Sequence, residues 1–163
     1  ILKEKKIDLI VEMDTDLSSH PKELPKNIKF FKKEKLDLLI MSRYFKGSKI
    51  INWPFRRRLF SFLSNKLAYF LLRIKVSDYT MGYRIYSKNA VKHVVKNCGK
   101  IGSGFIVLSE ILAELNHNNF KIKDTKTTFI NREKGSGTVN IKLIYESLIG
   151  IFKIYLNINS KKS

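Results

Sequence analysis

The sequence predicts an α/β fold, and three observations carry the prediction. Ile7–Met13 and Leu36–Met41 are apolar runs of strand length, and the segment between them has helical periodicity. Further helical segments alternate with short strand-like ones down the chain. Both early runs end in charge, Asp14-Thr15-Asp16 after the first and Arg43 after the second. In open α/β sheets, ligands gather outside the carboxyl ends of the strands.

In order, Ile7, Leu9, Ile10, Val11 and Met13 read as a largely buried strand. Asp14 and Asp16 bring two hard carboxylates to its end, with one small residue between them. Such a pair suits Mg²⁺ or Mn²⁺ bridging to phosphates. It equally suits a solvated helix cap, since turns favour Asp. Ser18-Ser19-His20-Pro21 supplies turn and cap chemistry, and Pro25 fits the first turn of a helix with Leu24, Ile28 and Phe31 on one face. That helix should end near Lys32-Lys33-Lys35. The next strand, Leu36–Met41, completes a β-α-β unit whose two strands run parallel, which places Asp14, Asp16 and Arg43 on one edge.

Phe45–Asn52 has the character of a loop. From Trp53 to about Ile74 the chain reads as a helix, apolar nearly all round, which is either deeply buried or in contact with lipid. Arg57 and Ser61, four apart, share a face near its start. They form a phosphate site or a basic turn in solvent. Ser77–Tyr86 carries Asp78, Gly82 and Arg84 at close spacing and ends as a short alternating strand. Ser87 caps a helix built on Ala90, Val91, Val94 and Val95, with His93 at the surface.

Gly102-Ser103-Gly104 opens another helix with Phe105, Leu108, Ile111, Leu112 and Leu115 inward. Glu110 lies among these apolar residues, and a carboxylate so placed has a partner or a task. Phe120–Ile130 is strand-like. Arg132–Gly137 is a basic loop that either closes over an anion or merely links. Val139–Ile158 has apolar residues at helical spacing interrupted by Lys142, Glu146 and Lys153, the pattern of an interfacial amphipathic helix.

Lys and Arg number 32 against 14 Asp and Glu among 163 residues, a net charge of +18. That excess predicts an anionic partner: nucleic acid, a phospholipid surface or a phosphorylated substrate. A nucleic-acid module would account for the charge but not for two acids at a strand end, and its aromatics would interleave with Arg. Here they sit on apolar helix faces, so no nucleic acid is expected. Cys98 is alone, which excludes an intrachain disulfide. No apolar stretch reaches the roughly 20 residues of a membrane span, so membrane contact would be peripheral or through a partner.

The ordered set Asp-Thr-Asp-Leu-Ser-Ser-His-Pro, Ser-Arg-Tyr, Trp with Arg-x-x-x-Ser, and Ser-Asp-x-Thr-x-Gly-Tyr-Arg covers essentially the whole chain. It resembles the family 2 glycosyltransferases, and within them the dolichol-phosphate mannosyltransferases, or polyprenyl-phosphate glycosyltransferases. The resemblance implies a GT-A, Rossmann-like fold. It implies inverting transfer of a sugar, mannose from GDP-mannose, to dolichyl or polyprenyl phosphate by a peripheral enzyme at the cytoplasmic membrane face. A small membrane subunit is a further implied partner.

By position, the resemblance makes Asp14 and Asp16 ligands of Mg²⁺ or Mn²⁺ on the donor diphosphate, with Ser18 where some relatives carry Gln. Arg43, Arg57 and Ser61 become acceptor-phosphate groups, and Arg132 the arginine of a flexible acceptor loop. Asp78, Arg84 and Glu110 become the catalytic set. The loop's usual Lys is replaced, since Gly137 and Thr138 fill its last two places, and Lys134 stands as a substitute. In this family a β-α-β segment for the nucleotide precedes the D-x-D strand. The expectation is therefore a truncated GT-A domain over residues 1–138, with residues missing ahead of Ile1, followed by a membrane-proximal helix and tail over 139–163. The rivals are a basic anion- or nucleic-acid-binding module and a non-catalytic truncated remnant.

Overall fold

The structure, a computed structural model, describes residues 7–16, 18–102, 104–131 and 141–161. Its strands are β1 (Leu9–Glu12), β2 (Leu38–Ser42), β3 (Lys49–Ile51), β4 (Arg84–Ser87), β5 (Ile122–Lys126) and β6 (Thr128–Ile130). Its helices are α1 (Leu24–Glu34), α2 (Phe55–Leu72), α3 (Lys88–Asn97), α4 (Phe105–His117) and α5 (Ile141–Ser160).

One sheet has the order β1-β4-β2-β5. β4 is antiparallel to both of its neighbours, and β2 is parallel to β5. β1 and β2 therefore run the same way, as the β-α-β pattern requires, but β4 lies between them. Ile85 at its centre pairs with Val11 on one side and Leu39 on the other. β2 is buried at all five positions, as an apolar run covered on both faces should be. β1, expected to be largely buried, is half-exposed because it lies at the edge of the described sheet.

α1 carries Pro25 in its first turn and closes at Lys35, whose φ of 51° turns the chain out of the helix. His20 caps the turn before it, with Nδ1 accepting from the Lys22 amide. Ser87 caps α3 by accepting from the Ala90 amide. Three expectations need correction. Lys49–Ile51, in a segment with the character of a loop, is a strand because β6 pairs with it in parallel, a partner 79 residues away at Lys49↔Thr128 that local pattern cannot show. Val95 is exposed, since the buried face of α3 is set by Ala90. Phe105, the first residue of α4, points outward.

α2 buries only Asn65 and Ala68 and leaves Phe55, Leu59, Phe62, Leu63 and Phe70 exposed. α5 packs on α4 and α2 through the buried Ile151 and Ile154. Gly150 makes that approach possible: a Cβ there would stand 2.8 Å from the Ile106 side chain of α4.

Candidate active site

Strand direction assembles the site. Asp14 and Asp16 follow β1 and Arg43 follows β2, so parallel strands deliver them to one edge. β4 runs the opposite way, so the segment 77–83 that enters it arrives at the same edge. The result is a cavity of about 200 Å³ whose walls include Asp14, Asp16, Ser18, Arg43, Arg57 and Gly82. Both acids and two of the predicted arginines thus share one cleft.

Arg43 is clamped by Asp78. Nε donates to Oδ2 at 2.7 Å, Nη2 donates to Oδ1 at 2.8 Å, and the Arg43 backbone amide adds a third bond to Oδ2 at 3.1 Å. Nη2 also donates to the Thr80 hydroxyl at 2.8 Å. Asp78 is completely buried, and burial by itself would raise its pKa. The Arg43 charge and hydrogen bonds outweigh that and hold the carboxyl below the usual aspartate range. Burial would lower the Arg43 pKa, and Asp78 reverses that in turn. Asp78 is therefore a locked carboxylate whose lone pairs are spent on its partner, the opposite of a general base.

The acidic turn has the chemistry of a divalent-cation site. Asp16 Oδ1 accepts from the Ser18 amide at 3.0 Å, which bends the turn into the cleft. The Ser18 hydroxyl is buried without a hydrogen-bond partner. A Cβ on Gly82 would come within 3.3 Å of Asp14 Oδ1, so this glycine makes room for the carboxylate. Among the described residues no three His, Cys, Asp or Glu side chains gather at one point. Two carboxylates with an adjacent hydroxyl still fit Mg²⁺ or Mn²⁺, which commonly take one or two protein carboxylates and fill the remaining positions with phosphate and water.

A second, smaller cavity of about 100 Å³ opens from the first, sharing Arg43, Arg57, Trp53 and Thr80 and adding Ser61. Trp53 lies against both guanidiniums, 5.2 Å from Arg43 Cζ and 5.9 Å from Arg57 Cζ to the ring centre. Arg57 Nη1 also reaches Asn131 Oδ1 at 3.5 Å.

Residues 2–95 match the family described as glycosyl transferase family 2. The chain belongs to that family. It is similar to an undecaprenyl-phosphate mannosyltransferase of Micrococcus luteus, at 28% identity over 91% of this chain and 60% of that protein. It is 30% identical to a polyprenol monophosphomannose synthase of Mycolicibacterium smegmatis, over 88% of this chain and 53% of the other. A dolichol-phosphate mannosyltransferase of Pyrococcus furiosus is 34% identical over 93% of this chain and 42% of its own length. The chain thus spans about half the length of these relatives. Its mixed α/β sheet agrees with the Rossmann-like GT-A fold of family 2.

Not every residue expected at a family 2 site reaches the cleft. Arg84 is fully buried and donates from Nε to Met81 O at 2.7 Å, from Nη1 to Leu108 O at 2.9 Å and from Nη2 to Tyr79 O at 3.0 Å. These bonds tie the turn at 79–81 to α4. Glu110 is also buried away from the cleft and accepts from the amides of Gly99 and Lys100 at 3.0 and 3.3 Å. It ties α4 to the end of α3. Arg132 lies outside the described residues.

Sequence reasoning gave no role to Trp53, Thr80, Gly82 or Asn131, all on the cleft wall. Nor did it single out Asn65, whose Oδ1 accepts from the Tyr79 amide at 2.6 Å and whose Nδ2 donates to Ser61 O at 2.8 Å. A lone amide on so apolar a helix, four residues after Ser61, was the available signal.

Proposed function

We propose that the protein transfers mannose, with inversion, from GDP-mannose to a polyprenyl or dolichyl phosphate at the cytoplasmic face of a membrane. The observation that carries this reading is the placement of Asp14 and Asp16 in one cleft with Arg43 and Arg57, two anion-binding halves side by side. The names of the three relatives support mannose as the sugar and a polyprenyl phosphate as the acceptor.

Asp14 and Asp16 would hold Mg²⁺ or Mn²⁺, which offsets charge on the leaving diphosphate. Arg57 and Arg43 receive the acceptor phosphate, with Ser61 beside them. An oxygen of that phosphate forms a bond to the anomeric carbon as the bond from that carbon to the diphosphate breaks. A phosphate monoester with its second pKa near about 6 is already ionised at neutral pH, so no base is needed. Asp78 accordingly acts by positioning Arg43.

An acceptor with a long isoprenoid tail stays in the bilayer, so the cleft must come to it. Supporting this, the exposed apolar residues of α2 follow one another at helical spacing, as do Leu148, Phe152 and Leu156 on α5. Among the described residues no helix is long and apolar enough to cross a membrane. These faces would rest on lipid or against a small membrane subunit.

The test uses the full-length protein with GDP-mannose and decaprenyl phosphate in anionic liposomes, with the product identified by mass spectrometry. Mannosyl phosphodecaprenol should form and should vanish in excess chelator. Arg57→Ala should raise the acceptor KM by about tenfold or more while leaving the donor KM nearly unchanged. Absence of a mannolipid would sink the reading, and undiminished transfer in chelator would remove the metal from it.

A further inference from the structure

A second polar contact runs beside the Arg43–Asp78 clamp. Ser42 immediately precedes Arg43, Ser77 immediately precedes Asp78, and their hydroxyl oxygens are 2.6 Å apart. Asp124 on β5 anchors the pair: its Oδ2 accepts from the Ser77 amide at 2.7 Å and from the Ser77 hydroxyl at 2.6 Å. Asp124 is the register partner of Ile40, two positions before Ser42, so the parallel β2 and β5 strands present them on one face.

The direction of the hydrogen bonds follows from the number of hydrogens. Ser77 has a single hydroxyl hydrogen and gives it to Asp124, so Ser42 must donate to Ser77. The lone pairs of the Ser42 oxygen then accept from the amides of Tyr44 and Phe45, at 3.0 and 3.1 Å. The Ser42 carbonyl takes the Ser48 hydroxyl at 2.7 Å. Each donor has one place to go, and the series ends on a carboxylate. It fixes the residue before Asp78 and the residues on both sides of Arg43. Nε and Nη2 of Arg43 are committed to Asp78 and Thr80, which leaves Nη1 as the nitrogen not engaged with either.

We propose that Asp124 is a positioning residue which, through Ser77 and Ser42, sets where the Arg43–Asp78 clamp stands and hence where Arg43 meets the acceptor phosphate. This rests on the acceptor role given to Arg43 above. Asp124 touches no substrate, so its removal should disturb the half of the cleft that Arg43 serves and spare the half built on Asp14 and Asp16.

The experiment measures acceptor and donor KM separately in the full-length protein and its Asp124→Ala, Asp124→Asn and Ser77→Ala variants. Asp124→Ala should raise the acceptor KM about tenfold and change the donor KM less than about twofold, since one charge-assisted hydrogen-bond anchor is lost. Asp124→Asn, which keeps one acceptor oxygen, should fall between, and Ser77→Ala, which deletes one oxygen, guards against a variant that fails to fold. A second readout needs no substrate. Trp53, the one tryptophan of this sequence, has its ring 5.2 Å from Arg43 Cζ, so acrylamide quenching of its emission should increase when the anchor is cut. Increased quenching in a protein whose wild type transfers no sugar would overturn the acceptor role and keep the positioning role. Both KM values rising together, or unchanged quenching in a folded Asp124→Ala protein, would overturn the positioning role itself.

Discussion

Arg43 and Arg84 are both buried guanidiniums with three side-chain hydrogen bonds each, one at the cleft and the other behind it. Arg84 spends Nε, Nη1 and Nη2 on three backbone carbonyls, and it is 0% exposed. Arg43 donates through Nε and Nη2 to a carboxylate and a hydroxyl, and at 9% exposure it still lines the cavity. The same contrast divides the buried acids. Asp78 is satisfied by a group that faces the cleft, whereas Glu110 is satisfied by two amides that lead nowhere. Burial of an ionisable side chain therefore announces a partner. Only the direction in which that partner opens separates a side chain held at the cleft from one held behind it.

The largest effect should come from Asp78→Ala. It leaves Arg43 buried beside an empty space, and breaking such a pair costs about 3–5 kcal/mol. Urea denaturation should show that loss at neutral pH. The sign of the pH dependence follows from the lowered carboxyl pKa. The pair stabilises the fold fully above the pKa of an unfolded aspartate, about 3.9, and the contribution fades as the pH falls through the lower folded value. The variant should therefore lose this part of the wild type's acid sensitivity. A protein as stable as the wild type at neutral pH would mean that the clamp is not what fixes Arg43.

Arg84→Lys comes next. A lysine has one nitrogen where three carbonyls need donors, and each buried group left unsatisfied costs roughly 1–3 kcal/mol. The melting temperature should drop by several degrees. In the folded fraction the donor and acceptor KM should keep their ratio, because the three donor nitrogens of Arg84 are taken up by backbone carbonyls behind the cleft. A selective loss of acceptor use would erase the distinction between the two arginines.

The comparison also shows what the sequence could and could not reveal. The acidic turn, the β-α-β order and Arg43 were legible because they rest on local apolar runs and on the rule that ligands gather at strand ends. Ser87 and Pro25 were legible because capping is local chemistry. β3 was not, since three residues pair only with a strand far along the chain. The insertion of β4 between β1 and β2 is likewise a tertiary choice. Arg84 and Glu110 drew attention as charges in apolar company, but a sequence shows no backbone carbonyls or amides, so it could not show that both bond to backbone behind the cleft. Gly82 was visible inside its motif, yet its purpose, leaving space for the Asp14 carboxylate, needs both segments in view.

The smallest effect expected is that of Glu110→Gln, and it is the most selective. The glutamine keeps one carbonyl oxygen for either the Gly99 or the Lys100 amide, and its amide nitrogen faces the other. About 1 kcal/mol of stability should be lost, the net worth of one such bond. Transfer should hardly change, since Glu110 lies away from the cleft. A nearby group provides the control that the substitution has acted. The Cys98 thiol is pushed up to about 12, first by burial and then by the carboxylates of Glu110 and Glu114. Removing the Glu110 charge removes part of that push, so the pH at which Cys98 reacts with iodoacetamide should move down while the Asp78→Ala variant leaves it in place. Should Glu110→Gln instead reduce transfer by about tenfold or more in a folded protein, a barrier change of about 1.4 kcal/mol, then Glu110 has a task, and the line drawn between cleft and brace is in the wrong place.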